Sequence, residues 1–72
     1  MKLNYYPDTD SLYIDLSHRQ SVENREISEG VVLDYDELGQ VVGIDIDNAS
    51  LKVELRELMI NKIPFTTQTI TG

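Results

Sequence analysis

The sequence contains no cysteine, which excludes disulfide bonds and zinc sites built from thiolates. Basic residues are also scarce: 6 Lys and Arg stand against 13 Asp and Glu, which gives a net charge of −7. Nucleic-acid binders need a basic patch that displaces counterions from phosphates, so we expect no direct binding of DNA or RNA. An acidic surface instead steers a protein towards a basic partner, although the same charge also keeps a small protein in solution.

Long apolar runs are absent as well. The first eight residues contain no segment of the length that a signal peptide needs, and nothing in the sequence approaches a membrane span. Together with the lack of cysteine, these features favour a cytoplasmic location. At 72 residues the chain makes one small domain, whose core stabilises it only modestly, so self-association into a homo-oligomer would help it.

Residues 30–47 have the pattern of a β-hairpin at the centre of a sheet. Two runs of β-branched residues flank an acidic segment that ends at Gly39. Val42, Ile44 and Ile46 fall at every second position of the second run. This period predicts one buried face and one face in contact with water.

The same alternation predicts two further strands, over residues 2–6 and 12–16, and a third strand is predicted over residues 22–27. It is clearest in the second of them, where every second residue is Leu or Ile. The third strand carries charges of both signs, which suit the edge of a sheet because they discourage further pairing.

The spacing of apolar residues changes after residue 46. Asp47 or Asn48 can cap a helix, which we expect to end near Asn61, before a proline. The apolar residues at helical spacing are Leu51, Leu55, Leu58 and Met59. The predicted fold is therefore α+β, an antiparallel β-meander of four to five strands with one C-terminal helix packed on one face. Residues 1–62 would form this domain, and residues 63–72 would form a tail that is either flexible or pairs with a partner as an added strand.

Acidic residues two positions apart raise the question of a metal site. Carboxylates at this spacing on a strand share one face, roughly 7 Å apart, and such oxygen ligands can hold Ca²⁺ or Mg²⁺. The spacing of Asp34, Asp36 and Asp45 resembles that of the ligands in a calcium-binding loop, but Leu38 lies where that loop needs an oxygen ligand. Turn and cap residues at strand ends are the simpler interpretation, with the metal site as the alternative.

No set of residues points to catalysis. Paired carboxylates act in glycoside hydrolysis, but a domain of this size can barely form the cleft which that chemistry needs. His18 is the only histidine and lies in a polar loop, with no nucleophile or orienting acid tied to it. We therefore expect a non-enzymatic protein with no catalytic residue and no cofactor.

Tyrosines occur close to the predicted turns. Tyr6 and Tyr13 lie on neighbouring predicted strands and could meet on the outer face, where an aromatic pair stabilises a sheet. Tyrosine close to an acid, as at Tyr13 and Asp15, is also typical of protein-binding surfaces. Stabilisation of the sheet is the simpler interpretation, and Tyr6, Tyr13 and Asp15 are the residues that we expect to bind a partner.

Several segments of the sequence, taken together, resemble a known family. They are Tyr6-x-Asp8-x-Asp10-Ser11-Leu12-Tyr13-Ile14-x-Leu16, Glu26-Ile27, Gly30-Val31-Val32-Leu33-Asp34-Tyr35-Asp36, Gly39-x-Val41-Val42-Gly43-Ile44-Asp45-Ile46 and Ala49-Ser50. The pattern resembles a family of short bacterial and phage proteins that share a domain of unknown function. The resemblance implies a four- or five-stranded antiparallel sheet with a C-terminal helix. Because members look similar to proteins encoded beside small toxin-like proteins, it also implies an antitoxin-type role.

Three functional hypotheses follow. The first is a non-enzymatic interaction module whose acidic, tyrosine-bearing face binds a basic protein, in its sharpest form an antitoxin-like partner of a small toxin. The second is a small metal- or ligand-binding protein that uses the acidic turn residues. The third is a structural homo-oligomer, joined through the helix or the threonine-rich tail.

Overall fold

The computed structural model of the protein describes residues 1–54 and 56, and its regular structure is one antiparallel sheet. The strands are β1 (Lys2–Tyr6), β2 (Ser11–Asp15), β3 (Glu23–Ser28), β4 (Val31–Tyr35) and β5 (Val41–Ile46). Each coincides with a stretch that the sequence predicts as a strand, so the strand content of the prediction is confirmed. Their order across the sheet is β1-β2-β5-β4-β3.

This order corrects the predicted meander. In a meander β2 would pair with β3, but here it pairs with β5, so β2 to β5 take a Greek-key order. Leu12 lies opposite Ile46, and Ile14 lies opposite Ile44. Because these cross-strand pairs are apolar, they stabilise β2 beside β5 better than beside the charged β3. β3 is an outer strand among those described, as its charges predict.

The connection from β2 to β3 must therefore cross the ends of two strands. At its start the Leu16 amide donates to the Val42 carbonyl at 2.9 Å, and at its end the Val22 amide donates to the Tyr35 carbonyl at 2.8 Å. The chain between these two bonds runs past the turn that joins β4 to β5. This path brings Arg19 against that turn.

One face of the sheet is apolar. Its residues include Leu3, Leu12, Ile14, Leu33, Ile44 and Ile46, which the register brings to the same side. Among the described apolar residues, those that are buried are Leu12, Val42 and Ala49, and most of the face is half-buried. A core this small agrees with the modest stability expected for a short chain.

The predicted C-terminal helix is wrong for the residues that the structure describes. A 3-10 turn over Ala49–Leu51 follows β5, and no α-helix occurs in residues 1–54 and 56. Leu51, the first of the leucines expected to pack on the sheet, is 85% exposed. The fold class is therefore corrected from α+β to a five-stranded antiparallel sheet. The later leucines, the domain boundary at residue 62 and the tail 63–72 lie outside the described residues.

No helix in the described part of the chain has the length and the apolar character that crossing a bilayer demands.

The turn after β5 is held by Asp10, which lies between β1 and β2. The carbonyl of Asp10 accepts the Ala49 amide at 2.8 Å. Its carboxylate accepts the Ser50 hydroxyl at 2.7 Å and the Ser50 amide at 3.1 Å, and the Tyr5 hydroxyl donates to it at 2.7 Å. These bonds hold the pKa of Asp10 below its ordinary value of 3.8. The bond from the Ser50 hydroxyl has the largest effect, and the bond from Tyr5 has the next largest. The amides of Ala49 and Ser50, at the start of the expected helix, thus donate to Asp10 in the turn between β1 and β2. Asn48 adopts a left-handed φ of 51°, and its side chain caps neither amide.

We expect Asp10→Asn to lower the melting temperature near neutral pH. Because the native pKa of Asp10 is depressed, its ionised form stabilises the fold above pH 3.8, and this stabilisation is lost as the pH falls through the lower native pKa. The difference in Tm between wild type and variant should therefore shrink in acid. Asparagine tolerates the left-handed φ of 53° at this position, so the backbone is not strained.

Thermal unfolding followed by circular dichroism across the acid range measures this difference. Asp8→Asn, which removes an exposed charge from the same turn, is the matched control and should change Tm little at any pH. Equal shifts in the two variants would show that net charge, rather than the bonds from Ser50 and Tyr5, sets the effect.

Candidate partner-binding face

Carboxylates gather on the face of the sheet opposite the apolar one. The register places Tyr13 opposite Asp45, and it places both Asp15 and Asp34 opposite Gly43. Directly opposed residues point to the same side, so side chains from β2, β5 and β4 meet there. We call this surface, formed by Tyr6, Tyr13, Asp15, Asp34 and Asp45, the acidic face. Lys2, opposite Asp15, is the basic residue that the described strands contribute to it.

Tyr13 crosses the centre of the acidic face. Its ring covers Gly43, where an added Cβ would lie 2.6 Å from Cζ of the ring, so the strand needs a residue without a side chain there. The Tyr13 hydroxyl donates to Oδ2 of Asp34 at 2.8 Å and so links β2 to β4 across β5. Burial, the bond to Asp34 and the neighbouring aspartates raise the pKa of Tyr13 to about 12, and the hydroxyl keeps its proton at neutral pH.

Asp45 is the carboxylate of the acidic face whose pKa is raised. Its pKa lies above the ordinary value, first because it is partly buried and then because Asp47 and Asp34 carry like charges nearby. Ionising Asp45 in the folded state is therefore unfavourable relative to the unfolded state. The acidic face holds repulsion between carboxylates that a positive charge would relieve.

We expect Asp45→Asn to stabilise the protein near neutral pH, by about 0.5 kcal/mol or less, because the group is only partly buried and solvent screens its charge. A raised native pKa means that the contribution of Asp45 is most favourable at low pH and is lost as the pH rises through that pKa. The advantage of the variant should therefore vanish in acid. Urea unfolding at several pH values measures it, with Glu23→Gln as a control of equal charge change on β3. A variant less stable than wild type at neutral pH would contradict the repulsion.

The three residues expected to bind a partner share this face. Tyr6 lies opposite Ser11 in the first hairpin, which puts its side chain on the same side as Tyr13 and Asp15. Tyr6 is 53% exposed, whereas Tyr13 and Asp15 are half-buried. The structure thus places the three on one surface, and their binding of a partner stays a prediction.

Sequence reasoning missed the part that β4 and β5 play in this surface. The pairing of β2 with β5 brings Asp34 and Asp45 beside Tyr13, and a meander would not do so. Gly43 was the available signal, because an isolated glycine inside an alternating strand indicates close approach of another group. The group that approaches could not be identified without the strand order.

The three carboxylates of the alternative metal site do not act together. Asp34 and Asp45 lie on the acidic face, but Asp36 is buried in the turn after β4, where its Oδ1 accepts the amides of Leu38 and Gln40 at 2.9 Å each. Within residues 1–54 and 56, no three histidine or acidic side chains come close enough to hold a metal ion.

A comparison with protein families finds a related family. The model of a family described as "Protein of unknown function (DUF2283)" matches residues 2–50, which confirms the resemblance seen in the residues. No curated protein and no solved structure matches the chain.

Proposed function

We propose a function from geometry, since the chain belongs to the DUF2283 family and that family is described only as one of unknown function. In this proposal the protein is a non-enzymatic, cytoplasmic interaction module whose acidic face binds a basic protein. Its sharpest form is an antitoxin-like role, in which the module masks the basic surface of a small toxin.

The gathering of Asp15, Asp34 and Asp45 on one face of the sheet is the observation that carries the proposal. Burial first, and then the like charges of Asp47 and Asp34, raise the pKa of Asp45, so its ionised form is disfavoured in the free protein. A basic partner would convert this repulsion into attraction, which favours both association rate and specificity. Perturbed groups of this kind concentrate at functional sites.

The composition of the face also suits protein binding. Tyr13 supplies a large, rigid ring whose two χ angles are already restrained by Gly43 and Asp34, so little side-chain entropy remains to be lost on binding. The ion pairs found among the described residues join Arg19 to Asp36 and Arg25 to Glu23. Both lie away from the acidic face and leave its carboxylates available to a partner.

A binding titration with a lysine- and arginine-rich decapeptide tests the acidic face. The double variant Asp15→Asn/Asp45→Asn should weaken binding by about tenfold, while Glu23→Gln/Glu29→Gln, with the same change in net charge, should weaken it much less. Affinity for the wild type should also fall steeply as salt is added. Equal losses in the two double variants, or affinity independent of salt, would contradict the proposal.

The antitoxin form needs the natural partner. With wild type and both double variants as baits in an extract of the native host, we expect a small basic protein that wild type and the Glu23→Gln/Glu29→Gln variant retain and the acidic-face variant loses. Mass spectrometry identifies it. A retained protein without basic character, or one held equally by all three baits, would contradict this form.

A further inference from the structure

A second carboxylate site lies at the turn between β4 and β5. The side chain of Asp36 is only 3% exposed. Its Oδ1 accepts the amides of Leu38 and Gln40, but its Oδ2 is buried without a hydrogen-bond donor among the described residues. A buried carboxylate oxygen in this condition is costly, and it provides a strong acceptor for any donor that reaches it.

Arg19 lies next to this oxygen without satisfying it. Its Nε is 3.2 Å from Oδ2, yet the Nε–H points to the Ser17 hydroxyl at 3.4 Å. The contact is therefore one of charge alone and lacks the paired N–H bonds of a strong arginine–carboxylate pair. Arg19 belongs to the connection between β2 and β3, and its side chain is 54% exposed. A contact of this kind is readily exchanged for a better one.

The space around the carboxylate has the shape of a side-chain pocket. It measures about 200 Å³ and is lined by Arg19, Gln20, Val22, Asp36, Glu37 and Leu38. Drug-sized ligands occupy roughly 300–1,000 Å³, so this pocket suits one side chain and not a cofactor. Val22 and Leu38 are 61% and 73% exposed and form apolar walls. Such walls bury the aliphatic stem of a long basic side chain while its charge meets the carboxylate.

We propose that this pocket binds the guanidinium group of an arginine side chain on a polypeptide partner, and that Arg19 occupies the same carboxylate in the free protein. The guanidinium has five N–H donors in a planar fork. It can therefore donate to Oδ2 of Asp36 and also reach the carboxylate of Glu37 at the rim. An ammonium group lacks this planar geometry and is more strongly hydrated. The pocket is separate from the acidic face, and this inference does not depend on the function proposed for that face.

The test uses the peptide acetyl-Gly-Arg-Gly-amide and the full chain labelled with ¹⁵N. The peptide should shift the amide signals of Leu38 and Gln40, because both N–H groups donate to Asp36. In Arg19→Ala the competing group is gone, so affinity for the peptide should rise roughly two- to fivefold. Arg19→Gln gives the same result if the alanine variant folds poorly. Arg25→Ala, which removes an arginine from β3, is the matched control and should leave affinity unchanged.

Two further peptides define the chemistry. The citrulline peptide has the same shape without charge and should cause no shift, and the lysine peptide should bind more weakly than the arginine peptide. Equal binding of all three peptides, or no gain in the Arg19 variants, would overturn the proposal. Shifts confined to the amides of Asp15 and Asp45 would place the peptide on the acidic face instead, which would overturn this inference while supporting the proposed function.

Discussion

Gly43→Ala is expected to destabilise the protein by about 2–3 kcal/mol, from overpacking and a lost hydrogen bond. The added Cβ would collide with the ring of Tyr13, since it would lie 2.6 Å from Cζ. The ring must then leave its place over β5, which breaks the 2.8 Å bond from its hydroxyl to Asp34. Urea unfolding at neutral pH measures the loss.

A double-mutant cycle separates this collision from any intrinsic effect of alanine on the stability of the strand. With Tyr13→Ala as the background the ring is absent, and Gly43→Ala should be neutral or slightly stabilising because glycine weakens strands by its backbone entropy. An equal loss of stability in both backgrounds would show that Tyr13 does not cover Gly43.

Asp36→Ala should also cost about 1–3 kcal/mol, because the amides of this turn lose the buried carboxylate that accepts them. The amides of Leu38 and Gln40 both donate to Oδ1 of this residue, and the positive charge of Arg19 loses its counter-charge at Oδ2. The hairpin between β4 and β5 depends on this turn for its register. Chemical unfolding again gives the free energy.

Asp36→Asn is the informative control. Asparagine keeps an oxygen that can accept the two amides, so the turn should survive and the loss should be clearly smaller than for alanine. A loss as large as that of alanine would mean that the negative charge, rather than the hydrogen bonds of the turn, stabilises the hairpin.

β2 and β5 could be predicted because each carries its own alternation. Leu12 and Ile14 on one strand and Ile44 and Ile46 on another fall at every second position, and burial on one side of a sheet requires that period. The same residues also decide which strands pair, but only when two strands are compared. A single strand's pattern contains no information about its neighbour, so the default of sequential pairing gave the wrong order.

Over the described residues, the helix was wrong as a prediction for a different reason. Spacing of leucines and a capping residue are local signals, and they were present from Asp47 onward. The amides of Ala49 and Ser50 instead bind Asp10, which is 40 positions away from Ser50. Tertiary hydrogen bonds of this kind override a weak local preference.

The candidate sites show the same division between local and distant information. Tyr6, Tyr13 and Asp15 could be assigned to one face from the first hairpin alone. The contribution of Asp34 and Asp45 depends on β2 lying beside β5, and the contact of Arg19 with Asp36 depends on the connection that this strand order requires. Both surfaces are consequences of the Greek-key order.

The strand order is therefore the central claim, and nuclear Overhauser contacts test it most directly. The account predicts strong contacts between the ring protons of Tyr13 and the Hα protons of Gly43, together with contacts between Leu12 and Ile46 across β2 and β5. Contacts from Leu12 to residues of β3, with none from Tyr13 to Gly43, would contradict it. Such a result would restore the meander and separate the carboxylates of the acidic face.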